Sequence, residues 1–95
     1  MIRSFADEET ERIWNGERSR KRPHDIQKTA RRKLRMLNRA TKPDELRHPR
    51  NNRLEELKGT RKGTYSIRIN DQWRICFRWA DGGAENVRIE DYHRG

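Results

Sequence analysis

The chain opens with Ile2-Arg3-Ser4-Phe5, apolar and polar residues in alternation, which predicts a short strand. Asp7-Glu8-Glu9 follows and suits the positive end of a helix, so a short helix is predicted through Trp14, stopped by Asn15-Gly16. Glu17-Arg18-Ser19-Arg20-Lys21-Arg22 reads as a polar, basic connector expected to be mobile, and Pro23 is tolerated at the entry to a second helix. From about His24 to Ala40, the apolar residues Ile26, Ala30, Leu34 and Leu37 recur at steps of four, four and three and so line one helical stripe. Lys28, Arg31, Arg32, Lys33, Arg35 and Arg39 fall on the remaining faces, where a run of cations is ordinarily solvated. Lys42-Pro43-Asp44 and His48-Pro49-Arg50-Asn51-Asn52 then break the chain around a helical turn at Glu45-Leu46.

Beyond this break the period changes to two. Tyr65, Ile67 and Ile69, then Trp73, Ile75, Phe77 and Trp79, then Val87 and Ile89 mark three antiparallel strands, joined by turns at Asn70-Asp71-Gln72 and Asp81-Gly82-Gly83. Leu54 to Leu57 predicts a further strand before them. Helices first and a meander second define an α+β class, N-terminal helices packed on an antiparallel β-sheet, in one expected domain over residues 1–95. Trp73, Phe77 and Trp79 share the parity of Ile75 and are expected in the core rather than on bases. Arg68, Arg74, Arg78 and Arg88 occupy the opposite parity, a floor of like charges that repel unless something anionic lies on them.

Composition sharpens this reading. Of 95 residues only 29% are hydrophobic and 41% are charged, so apolar residues in periodic positions must face inward. Twenty-four Lys and Arg against fifteen Asp and Glu give +9, the balance expected of a protein that meets polyphosphate, and nucleic acid is the leading partner. The N-terminal segment lacks the apolar stretch of a signal peptide and no long apolar run follows, so a cytoplasmic protein with no membrane partner is expected. Cys76 is the only cysteine, which excludes an intrachain disulfide, and His24, His48 and His93 have no metal-site spacing; neither metal nor cofactor is expected. His24 and His48 sit beside prolines at segment boundaries, where turn or capping roles are the rule.

Three segments carry a resemblance: Leu54-Glu55-Glu56-Leu57-Lys58-Gly59, Asn70-Asp71-Gln72-Trp73-Arg74-Ile75 and Glu90-Asp91-Tyr92-His93. Their order and separation are similar to the HigB branch of the RelE/ParE toxin superfamily, with its "LKG" step, its "W-R-I" strand and its "EDYH" ending. That resemblance implies the RelE-like fold, two helices on a twisted antiparallel sheet, with a concave basic surface that enters the ribosomal A site and cuts messenger RNA. It also implies a HigA-like helix-turn-helix antitoxin as partner, with operator DNA met only through that antitoxin. By the family's pattern Lys58, Arg74, Asp91, Tyr92 and His93 stand at its functional positions. One departure is visible: some HigB toxins carry a histidine where this chain has Glu55, which leaves the general base open.

The chemistry of those residue types agrees. RNA carries its own nucleophile in the 2′-hydroxyl, so cleavage requires removal of that proton, stabilisation of the phosphate's extra charge and protonation of the departing 5′-oxygen. Lys58 and Arg74 suit the phosphate, with Arg68, Arg78 and Arg88 extending the grip to neighbouring phosphates. His93 suits proton transfer near neutrality; Glu55 or Asp91 is either the base or an orienter of His93, and Tyr92 stacks on a base or donates a hydrogen bond. Two alternatives stand beside a ribosome-dependent endoribonuclease: a ParE-like toxin of the same fold that acts by binding a protein, and a non-catalytic basic module that binds RNA or DNA.

Overall fold

A computed structural model describes residues 1–59 and 63–92. Helix α1 spans Glu8–Trp14 and is started by Asp7, whose side chain accepts from the Thr10 amide at 2.7 Å. Helix α2 spans His24–Arg39, and two 3₁₀ turns follow at Pro43–Arg47 and Arg50–Asn52. The sheet has the order β1 (Glu55–Glu56), β2 (Thr64–Arg68), β3 (Trp73–Ala80) and β4 (Gly83–Asp91), each neighbouring pair antiparallel. The predicted α+β meander is therefore present, with the strand expected over Leu54 to Leu57 reduced to two residues at the sheet edge.

Alternation does its work in register. Ile67, Ile75 and Ile89 face one another across β2, β3 and β4 and join Ile13 of α1 and Ile26, Ala30, Leu34 and Leu37 of α2 in one buried cluster. Trp73 and Trp79 pack against that cluster, as their parity predicts. Thr10, fully buried, accepts a hydrogen bond from the Ile89 amide at 3.0 Å and so ties α1 to β4. At the β3–β4 turn Asp81 and Gly82 both have positive φ, 52° and 76°, the backbone that an Asp-Gly pair adopts at low cost. Among the described residues no helix is long and apolar enough to cross a membrane.

Three expectations need correction. The strand expected over Ile2–Phe5 is instead two isolated parallel bridges, Ile2 to Ala84 and Phe5 to Val87. A bulge separates them: Asn86 has φ 53°, the β3–β4 register slips there, and its amide donates to the Ser4 hydroxyl at 2.9 Å rather than to a ladder partner. The connector is anchored rather than loose, because Ser19 is buried, its hydroxyl donates to Glu9 at 2.6 Å, and Gln27 brackets its backbone on both sides at 3.0 and 2.8 Å. Lys33, expected on a solvated face, is 2% exposed. Its ammonium donates to Asn51 Oδ1 at 3.2 Å and to Asn52 Oδ1, so the 3₁₀ turns are fastened to α2 through a buried cation.

Candidate active site

The arginine parity of the sheet holds, but its members differ. Register places Arg68 opposite Arg74, Arg74 opposite Glu90, Cys76 opposite Arg88 and Arg78 opposite Glu85, all on the face turned away from the helices. Carboxylates and Ser66, opposite Cys76, interleave these arginines, which is how like charges coexist there. Arg68 donates to Asp71 at 2.6 Å and holds that carboxyl below its ordinary range. Arg88 donates to Glu90 at 2.6 Å and to the Asn86 carbonyl at 2.9 Å. Arg78 is exposed, and its side chain makes no hydrogen bond or ion pair among the described residues.

Arg74 is the structured member. It is 6% exposed, and its Nε donates to Ser66 Oγ at 2.8 Å while Nη2 donates to the Ser66 carbonyl at 3.2 Å and to the Arg53 carbonyl. A guanidinium has five N–H groups; three are spent here, and the two on Nη1 remain, with Glu55 Oε1 4.0 Å away. Tyr92 lies over the group, its ring centroid 5.4 Å from Arg74 Cζ. Glu55 reaches this face because β1 pairs with β2 in a register that sets Glu55 opposite Ser66. Tyr92 reaches it because it continues the parity of Glu90 one residue past β4, its amide bonded to the Gln72 carbonyl.

Of the predicted site residues, Glu55, Arg74 and Tyr92 are thus brought together. Lys58 is exposed two residues past β1, in the segment leading to β2, beside Leu57 and Gly59. Asp91 stands opposite Trp73, on the parity of the core face rather than that of Arg74, and accepts from Gln72 Nε2 at 3.1 Å. His93 lies outside the described residues. Two partners of Arg74 were not singled out from the sequence. Ser66 had a signal, since it shares the parity of Arg68 and precedes it by two. The Arg53 carbonyl had none: it is aimed by a left-handed backbone at Arg53, φ 43° and ψ 58°, immediately after the turn that Asn52 holds.

Among the described residues two helices lie on a four-stranded antiparallel sheet, which is the fold of the RelE-like toxins. It superposes on the crystal structure of a YafQ mutant from E. coli with a TM-score of 0.66, covering 97% of this chain and 94% of that one at 15% identity. The family described as RelE-like toxin of type II toxin–antitoxin system HigB matches residues 3–93. Toxin HigB-1 of Vibrio cholerae serotype O1 is 38% identical over 93 residues, 97% of this chain and 98% of that protein. Endoribonuclease HigB of Proteus vulgaris is 44% identical over 41 residues, 43% of this chain and 45% of that protein. The chain belongs to the HigB-like toxin family: it is the toxin of a type II toxin–antitoxin pair, and its partner is an antitoxin.

Proposed function

We propose that this toxin is a metal-independent endoribonuclease that cuts messenger RNA in the ribosomal A site and so inhibits translation. The observation that carries this reading is Arg74, locked by Ser66 and Arg53 with the Nη1 edge left for a ligand beside Glu55 and Tyr92. A cation held rigid before substrate arrives stabilises developing phosphate charge without reorganising, which is the larger part of such catalysis. The name of the Proteus vulgaris relative supports RNA as the substrate.

In this mechanism Arg74 Nη1 grips the scissile phosphate and Lys58 adds a second positive charge. Glu55 takes the proton of the 2′-hydroxyl, whose oxygen attacks phosphorus, and His93 protonates the 5′-oxygen as the bond to it breaks. The products are a 2′,3′-cyclic phosphate and a free 5′-hydroxyl. Tyr92 both packs on Arg74 and offers a ring to a base. Arg68, Arg78 and Arg88 contact flanking phosphates, and Asp91, on the other parity, positions the end of β4. The antitoxin is HigA-like, a helix-turn-helix protein through which operator DNA is met.

Primer extension on a reporter mRNA in a translation reaction tests this. The wild type is expected to generate new 5′ ends; Arg74→Ala, Glu55→Ala and His93→Ala should remove them while the proteins still bind ribosomes. Unchanged transcript ends with folded wild-type toxin, or wild-type cutting by Arg74→Ala, would overturn the reading.

A further inference from the structure

The positive charge of this molecule is not neutralised evenly. On the sheet face Arg68, Arg74 and Arg88 each face a carboxylate, and of the four arginines there the side chain of Arg78 alone has no such partner among the described residues. On the helical layer, a groove of about 530 Å³ opens between the end of α1, the connector and the outer side of α2, walled by Arg18, Lys28, Arg31, Arg32 and Arg35. Among the described residues none of these five side chains forms a hydrogen bond or ion pair, and the Nε of Arg31 is buried without an acceptor. The carboxylate on the groove wall, Glu17, is already engaged by Arg12 at 3.4 Å. Lys28 stands three and four residues from Arg31 and Arg32, and Arg35 stands four and three beyond them, so each neighbouring pair among these four cations repels and works against the helix.

We infer that this groove is a second, non-catalytic binding surface that takes the phosphodiester backbone of RNA. A polyanion removes the repulsion and supplies the acceptors that the five cations lack. Lys28 to Arg35 extends about 10 Å along the helix, room for more than one phosphate. An acidic protein segment fits less well, since its charge sits on flexible side chains that must each be ordered to meet these cations, whereas a phosphodiester chain carries its charge in the backbone itself. The groove lies on the opposite side of the sheet from Arg74. It therefore holds RNA that the toxin sits on rather than the strand it cuts. The choice of RNA over DNA rests on the endoribonuclease reading; the polyanion surface does not.

The test uses the full-length toxin and a fluorescein-labelled 2′-O-methyl RNA 20-mer, which binds without offering a nucleophile. Lys28, Arg32 and Arg35 are exposed, so Lys28→Gln/Arg32→Gln/Arg35→Gln removes charge without touching the core. Its plot of log affinity against log salt is expected to be shallower than wild type by up to about 2, near 0.7 per lost phosphate contact on a single strand. Arg74→Ala should lower the slope by one contact at most, so a failed nuclease reading leaves this result standing. A folded triple variant with the wild-type slope overturns the proposal. Loss of poly-glutamate binding with RNA binding intact also overturns it, in favour of an acidic protein partner. Should the triple variant not fold, Arg32→Gln and Arg35→Gln singly must each reduce the slope, and unchanged slopes in both refute the surface.

Discussion

Replacing Asn52 by Ala should cost more stability than replacing the lysine it serves. Asn52 is fully buried, accepts from the Lys33 ammonium, and donates to the carbonyls of Leu46 at 3.1 Å and His48 at 3.3 Å. Losing a hydrogen bond to a charged group costs about 1.5–3 kcal/mol and each neutral one about 1, so Asn52→Ala is expected to cost about 3–5 kcal/mol. The buried ammonium would keep only Asn51 Oδ1, at 3.2 Å. Lys33→Met removes the charge together with its desolvation penalty and strands only neutral oxygens, a loss of about 1–3 kcal/mol. For a chain of this size each kcal/mol moves the midpoint by roughly 4–8 °C, so Asn52→Ala should melt at least 10 °C below wild type and Lys33→Met several degrees above Asn52→Ala. Burial, with Arg32 and Arg68 adding repulsion, lowers the Lys33 pKa below its ordinary value of 10.5. Between that lowered value and 10.5 the unfolded chain binds the extra proton, so this group's penalty on folding is full below the window and fades as pH rises through it. Urea titrations of wild type and Lys33→Met across that range should show wild type gaining relative to the variant. Equal or inverted costs for the two substitutions, or a pH-independent difference, would refute the account of a buried, charged brace.

The remaining predictions concern the site and the packing around it. Arg74→Lys keeps the charge but cannot serve Ser66, Arg53 and a phosphate together, so cleavage in the translation assay should fall by about 10²-fold or more. Ser66→Ala leaves Arg74 Nε without its acceptor and should reduce cutting less than Arg74→Lys while lowering stability by about 1–3 kcal/mol in urea titration. A Cβ at Gly83 would sit 2.8 Å from the Met1 carbonyl and 2.6 Å from Arg3 Cδ, so Gly83→Ala should release the N-terminal segment, seen as faster amide exchange at Arg3 and Ala84. Thr10→Val leaves the Ile89 amide unpaired in the core and should cost about 1–3 kcal/mol in thermal unfolding.

Hydrophobic period alone determined the element order, the single helical stripe and the two faces of the sheet, because side-chain direction in a helix or strand is a local property of the backbone. Ile67, Ile75 and Ile89 meet as their parity requires, and Arg74 and Ser66 share a face for the same reason. The motif segments around Lys58, Arg74 and Tyr92 were legible as well, because their spacing is a property of the chain. Charge assigns Lys33 to a solvated face, yet it stands three residues after Ala30 and four before Leu37, on the buried stripe itself. Only the tertiary structure decided that this position could hold a cation, since its acceptor Asn52 arrives from 19 residues away. The same holds for the grip on Arg74 by the Arg53 carbonyl, 21 residues distant, and for the bulge at Asn86 that divides the pairing of the N-terminal segment into two isolated bridges. Buried polar groups must find partners wherever the fold brings them, and that matching depends on distances in space that no local pattern encodes.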